Sequence, residues 1–344
     1  MTAPVVVYGT GHTSRFVVAE LERRGYQVVI AGRDPSKLAS LRAAHPAAEV
    51  RVAAIDDAPA LDRALAGGRA VLNCAGPLLD TATPLIEAAL RARIHYLDVA
   101  AEQPSTRATF ERFARRAEAA DIVVLPSMAF YGGLADLLAT AATTAWTDID
   151  EISIAVALDS WKPTDGTRRT GTRNTDRRVV VAEGRLALLP DPAPRRTWQF
   201  PAPFGAQDVV AVPLSEVITI SRHLRTTALT SYMNLAPLAD LRSSDTTGPV
   251  AIDASGRSSQ IFVMDVIARR NHEHRRARAE GRDIYAITAP LLVEATARIL
   301  DGRITRTGAA APGELFDAHD FLGALATDLR VSYESWPAPH ELGA

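Results

Sequence analysis

Short, uninterrupted apolar runs alternate with amphipathic stretches over the first third of the chain. Pro4 to Tyr8, Gln27 to Ala31, Val50 to Ile55, Ala70 to Cys74, Ile94 to Val99 and Ile122 to Leu125 read as strands. Between them, Thr13 to Arg24, the stretch from Pro35 through Leu41, Pro59 to Ala66, Pro84 to Arg91 and Ser105 to Ala119 carry helical spacing. Runs that are apolar throughout, not alternating, belong to strands buried on both faces. One helix between each pair then predicts a six-stranded parallel sheet with right-handed crossovers, a doubly wound unit.

After Phe130 the grammar changes. Leu134 to Trp146 reads as a helix. Glu151 to Leu158, Arg178 to Glu183, Trp198 to Phe200, Glu216 to Ser221 and Gln260 to Ala268 read as strands with no helix assigned to each. Strands in series predict an antiparallel or mixed sheet in a separate α+β domain. Pro190 to Pro194 and Pro201 to Pro203 read as surface connections, and Arg269 to Arg278 as strand, turn and strand. Asp283 to Leu300 regains a helical period, Ala318 to Leu325 follows as a helix and Leu329 to Tyr333 as a run, and the last residues read as a tail. The expected fold class is α/β: a Rossmann doubly wound parallel sheet with a second α+β domain built on a mixed or antiparallel sheet.

The chain has 344 residues, 47% hydrophobic and 23% charged, with 38 basic against 40 acidic side chains. That length exceeds what one core usually fills, and the near-neutral balance offers no global attraction to nucleic acid or to an anionic membrane. The single cysteine, Cys74, allows no intrachain disulfide. No run of about 18 apolar residues and no signal-like N-terminus occur. A cytoplasmic protein is expected.

Gly9-Thr10-Gly11-His12-Thr13-Ser14 follows the first strand directly and opens the first helix. A dinucleotide site needs no side chain where the chain turns (Gly9) or where the backbone meets the pyrophosphate (Gly11), and a small residue (Ser14) where helix and strand pack. Free N–H groups at the helix start then face the phosphates. Taken alone, the string is also compatible with a mere tight turn; its place at the first strand-to-helix junction favours the cofactor. The second strand ends in Ala31-Gly32-Arg33, where an NAD enzyme would carry a carboxylate for the ribose. Gly32 leaves room, and Arg33 with Lys37 supplies charge for a 2′-phosphate, so NADP(H) is the expected cofactor. The bland reading of Arg33 is a solvated arginine beside Asp34.

Ala75, Gly76 and Pro77 close the fourth strand with small residues that admit the nicotinamide ribose, and Asp56 could accept from the adenine amino group or be an exposed loop carboxylate. At the carboxyl edge of the sheet the candidate catalytic residues are Tyr131, Asp98 and Glu102. Tyr131 could donate a proton or simply pack. Asp98 and Glu102 could orient an amine or a water, or cap the next helix. Gly166 to Arg173 reads either as a loop able to grip a carboxylate or phosphate or as a solvated hairpin. His95 reads as structural, and no Cys, His and carboxylate spacing suits zinc, so no metal is expected.

The segments VYGTGHTSR, AGR, VLNCAGP, HYLDVAAE and GGLADLLA resemble, in order, the NADP-binding domain of saccharopine dehydrogenase-like oxidoreductases, a family that includes trans-acting enoyl reductase relatives. FPAPFG, SEVITISRHL and GRDIYAITAPLLVEA are similar to the second domain of bacterial members. Where the family often has Gly-x-x-Gly-x-x-Gly, Tyr8 and Ser14 take the outer positions here, and Ala101-Glu102 stands where relatives often have Gly-Glu. The resemblance implies a Rossmann domain over 1–130 with a C-terminal return over 303–344. It also implies a second domain over 131–302 for substrate binding and dimerisation, hence a homodimer. The expected activity is NADP(H)-dependent reduction of a C=N or activated C=C bond in a small-molecule substrate. The alternatives are a non-catalytic NADP(H)-binding redox sensor and a lyase that retains its cofactor.

Overall fold

The computed structural model describes residues 3–337. Its first half runs β1 (Val5–Tyr8), α1 (His12–Arg23), β2 (Val28–Gly32), α2 (Pro35–Ala44), β3 (Glu49–Val52), α3 (Ala58–Leu65), β4 (Ala70–Asn73), α4 (Leu78–Ala92), β5 (His95–Asp98), α5 (Gln103–Ala119) and β6 (Val123–Leu125). A π-helical turn, Phe130–Leu134, leads into α6 (Ala135–Ala142). The second half continues β7 (Ile149–Leu158), α7 (Asp165–Arg173), β8 (Val179–Ala182), β9 (Arg185–Leu188), β10 (Arg195–Gln199), β11 (Ala206–Ala211), α8 (Ser215–Ser221), β12 (Thr226–Asn234) and α9 (Leu235–Arg242). The chain then runs through β13 (Ile261–Arg270), β14 (Glu273–Arg282), α10 (Thr288–Leu300), β15 (Gly308–Ala309), α11 (Pro312–Leu315), α12 (Ala318–Ala324) and β16 (Arg330–Pro337).

Among the described residues the first sheet has the order β15-β6-β5-β4-β1-β2-β3, and each of its pairings is parallel. It is therefore the doubly wound sheet that the apolar runs imply, with a seventh strand, Gly308–Ala309, added beside β6. Every residue of β1, β2, β4 and β6 is buried, as strands covered on both faces require. The strand order reverses between β1 and β4, the crevice where such sheets bind ligands.

The second sheet is mixed, with a main path β10-β11-β12-β7-β13-β14-β16 and the β8–β9 hairpin attached to β12. Its β12–β7 pair is parallel and its other pairs are antiparallel. Residues 303–337 divide between the sheets: β15 joins the first, whereas β16 pairs with β14 in the second. The remainder of the expected tail, 338–344, lies outside the described residues.

Three local expectations are corrected. Glu216 to Ser221, read as a strand, is α8. Its Val, Ile and Thr residues are all buried because the helix is enclosed on more than one side: Val217 and Ile220 join one core and Ile218 another. Gly166 to Arg173 is neither loop nor hairpin but helix α7, opened by Thr164, whose side chain accepts from the Thr167 amide. The single helix expected over 134–146 is a π-turn followed by α6, which ends at Ala142.

Candidate functional site

A cleft of about 1240 Å³ lies beyond the carboxyl ends of β1, β2, β4 and β5. Its opposite wall comes from the π-turn, from residues 161–170, from Gly248 and Pro249, and from residues 284–288. Gly9, Thr10, Gly11, His12, Thr13, Gly32, Arg33, Lys37, Ala75, Gly76, Pro77, Glu102 and Tyr131 all border it, so most of the residues singled out from the sequence meet in one place. Ser14, Asp56 and Asp98 do not border it.

Backbone geometry explains the nucleotide end. Gly9 has φ +123°, and a Cβ there would stand 2.9 Å from the Cys74 carbonyl carbon, so only glycine lets the β1 turn cross the end of β4. A Cβ on Gly11 would meet nothing within 4 Å, which leaves the backbone open toward the cleft. Gly11 is also the N-cap of α1 and no side chain caps that helix. The first N–H groups of α1, at the cleft wall, thus lack side-chain acceptors, and the helix start attracts an anion. This arrangement fits a dinucleotide pyrophosphate. Ser14, fully buried, sits beneath it where helix meets sheet.

At the far side of β2, Arg33 and Lys37 are exposed, and their side chains make no hydrogen bond or salt bridge among the described residues. Asp34 does not pair with Arg33; its carboxylate caps α2, accepting from the amides of Ser36 at 3.0 Å and Lys37 at 3.2 Å. Two cations are therefore left without a side-chain partner at this end of the cleft. Asp56 is exposed on the turn after Ile55, which does border the cleft.

The floor is pinned by a buried network. Asn73 donates to Tyr96 Oη at 3.1 Å and to Thr81 at 3.2 Å, and accepts from the Ala75 amide at 3.1 Å. Tyr96 Oη donates to Asp98 at 2.9 Å, and Asp98 Oδ1 accepts from the amides of Ala100 (3.0 Å) and Ser127 (2.7 Å). Burial pushes the Asp98 carboxyl up to about 6, against the pull of these hydrogen bonds. Glu102 accepts from the Leu78 amide at the start of α4 (2.9 Å) and from the Ala101 amide (3.0 Å), and burial raises its pKa as well. Burial likewise pushes the Cys74 thiol up to about 12, which keeps it protonated and unreactive.

Tyr131 stands on the π-turn with its ring edge-to-face on Phe130, centroids 4.9 Å apart, and tilted against Trp161 with centroids 6.0 Å apart. Its hydroxyl is buried without a partner among the described residues, and burial holds its pKa well above the usual phenol value. Trp161 Nε1 donates to Tyr285 Oη at 3.0 Å, and that hydroxyl lies 2.9 Å from Thr167 Oγ1. Trp161, Thr167, Arg169, Thr170 and Tyr285 complete the wall. Neither Trp161 nor Tyr285 is singled out by its sequence pattern; for Trp161 the available signal is an aromatic residue between Asp159-Ser160 and Lys162, whereas Tyr285 sits among Ile284, Ala286 and Ile287 and reads as core. Several histidines lie elsewhere in the fold: His95 accepts from the Val123 amide at 3.0 Å, and His223 is 3.1 Å from buried Asp136. Among the described residues no group of three or more His, Cys, Asp or Glu is placed to hold a metal, and no helix is long and apolar enough to cross a membrane.

Residues 5–125 match the family model of the saccharopine dehydrogenase NADP binding domain. No curated protein matches the sequence. Among solved structures, apo saccharopine dehydrogenase (L-Glu forming) from Saccharomyces cerevisiae aligns over 96% of this chain and 100% of its own, with a TM-score of 0.67 at 13% identity. UDP-N-acetylglucosamine 3-dehydrogenase from Acidithiobacillus ferrooxidans aligns over 95% of this chain and 97% of its own, with a TM-score of 0.44 at 10% identity. The first of these likenesses is one of fold. Residues 5–125 thus belong to the saccharopine dehydrogenase NADP binding domain family, within a chain that has the saccharopine dehydrogenase-like α/β fold.

Proposed function

We propose that the chain is an NADP(H)-dependent oxidoreductase that reduces a C=N or activated C=C bond of a small metabolite. The observation that carries this reading is the continuity of the cleft, from an open glycine turn and two unpaired cations at one end to an aromatic wall supplied by the second half of the chain at the other.

In this reading the amides at the start of α1 hold the pyrophosphate, Arg33 and Lys37 hold the 2′-phosphate, and Ala75, Gly76 and Pro77 lie against the nicotinamide ribose. NADPH supplies the hydride; the protein excludes water, orients the acceptor and manages one proton. Tyr131, Trp161 and Tyr285 wall the acceptor end, and Tyr131, held protonated by its burial, is the hydrogen-bond donor to the substrate. Asp98 and Glu102 position strand ends and the start of α4, since backbone amides and, on Asp98, the Tyr96 hydroxyl occupy their oxygens.

That last point also favours a second reading, a non-catalytic NADP(H) sensor, because it leaves Tyr131 as the sole candidate donor of the three expected. The experiment is NADPH oxidation, followed by absorbance, across imine, enoyl and carbonyl acceptors. Turnover with an imine or enoyl compound supports the reductase, whereas tight NADPH binding without turnover on any of them supports the sensor.

A further inference from the structure

Resting on the reading that residues 9–14 cradle NADP(H), we propose that His12 is a positioning residue: Arg15 holds its ring proton on Nε2, and that N–H donates to a pyrophosphate oxygen of the bound dinucleotide. Arg15 Nη2 lies 2.7 Å from His12 Nδ1. A guanidinium carries donors only and keeps its charge, so Nδ1 must present its lone pair, and in the neutral ring the hydrogen then sits on Nε2. Burial lowers the ring's pKa, the Arg15 charge adds to this, and Asp283 opposes both. A doubly protonated ring would turn N–H against N–H at the Arg15 contact.

The ring cannot easily turn away. It is held edge-on between Phe16, at 5.2 Å and 80°, and Tyr285, at 5.5 Å and 86°. Nε2 is buried and has no hydrogen-bond partner among the described residues, an arrangement proteins avoid unless something else provides the acceptor. His12 borders the cleft as the first residue of α1, beside the amides that await an anion, so phosphate oxygens are the acceptors nearest to hand. Because Tyr285 comes from the second half of the chain, the same ring also couples the cofactor cradle to the acceptor wall.

The test uses the full chain labelled with ¹⁵N-histidine, titrated with NADP⁺ and with adenosine 2′-monophosphate, which carries the 2′-phosphate but no pyrophosphate. The expected spectrum shows the Nε2–H tautomer for His12 and a shift of that proton with NADP⁺ alone. His12→Phe, which keeps the packed ring and removes the donor, should weaken NADP⁺ binding by about tenfold and leave adenosine 2′-monophosphate unchanged. His12→Gln, which restores an N–H donor, should recover most of the loss. An Nδ1–H tautomer, unchanged NADP⁺ affinity in His12→Phe, or equal losses for both ligands would overturn the proposal while leaving the cofactor site standing. A wild-type chain that binds no NADP⁺ would overturn the underlying reading and this proposal with it.

Discussion

Arg173 at the end of α7 reaches Asp80 in the first turn of α4 at 2.9 Å, tying the two halves of the chain together near the cleft. Helix α7 has no buried residue and is held by polar contacts: Thr167 to Tyr285, and Arg168 to the carbonyls of Ser243 (3.2 Å) and Thr246 (2.6 Å). Thr170 Oγ1 stands 3.2 Å from where a Cβ on Gly76 would be. A helix so placed, with no buried side chain, depends on these polar contacts to stay beside the cleft. Both partners of the Arg173–Asp80 pair are half exposed, so Asp80→Asn should change stability by less than about 1 kcal/mol. It should nonetheless raise the NADPH dissociation rate severalfold, measured by stopped-flow fluorescence. An unaltered rate would make the pair a surface contact and nothing more.

Gly9→Ala tests the turn itself. The added methyl would require an unfavourable φ and press against the Cys74 backbone. Strain of this kind costs on the order of 1–3 kcal/mol. A lowered melting temperature together with lost NADPH binding in calorimetry is the expected outcome, whereas a variant that binds normally would show that the turn has room to spare.

The elements legible in the sequence are those whose neighbours are local. β1, β2, β4 and β6 are short continuous apolar runs, and the glycine turn after β1 announces itself by composition. β3, at the sheet edge, is only partly buried and ends at Val52, three residues before the expected limit. Helix α4 begins at Leu78, six residues before Pro84, because it carries that proline in its interior where a start was expected. α7 and α8 depart from the sequence expectation for opposite reasons. Gly, Thr and Arg dominate α7, whose contacts come from Tyr285, Ser243 and Thr246, far along the chain. The β-branched residues of α8 favour a strand locally, and packing against both halves of the molecule overrides that preference. The glycine turn at one end of the cleft is readable because the backbone crossing there demands glycine. The aromatic wall at the other end is not, since Trp161 and Tyr285 meet only through tertiary structure.

Asp98 gives a pH signature. Its carboxyl is pushed up to about 6, chiefly by burial, so between about pH 4 and 6 the folded state holds a proton that the unfolded state releases. This group therefore favours the folded state below about pH 4, and that contribution is lost as pH rises toward 6, with a size on the order of 3 kcal/mol. Carboxylates such as Glu20 and Glu294, whose pKa values are lowered by arginine partners, change stability in the opposite direction. The useful measurement is thus the difference between the wild type and Asp98→Asn in denaturant unfolding from pH 4 to 7. That difference should grow in favour of the variant as pH rises, and a constant offset would mean Asp98 titrates normally.

Tyr131→Phe keeps the ring against Phe130 and Trp161 and removes the hydroxyl. If that hydroxyl serves the acceptor, kcat should fall by about 10²-fold or more while NADPH affinity holds. Unchanged kcat on a working acceptor would remove Tyr131 from the chemistry.

NADP(H) held in this cleft would set its 2′-phosphate against Arg33. Calorimetric titration of the wild type and of Arg33→Asp with NADPH and NADH tests it most directly. The wild type should bind NADPH more tightly than NADH, and the variant should lose about 10- to 100-fold for NADPH with little change for NADH. Equal losses for both nucleotides, or no binding of either by the wild type, would contradict it.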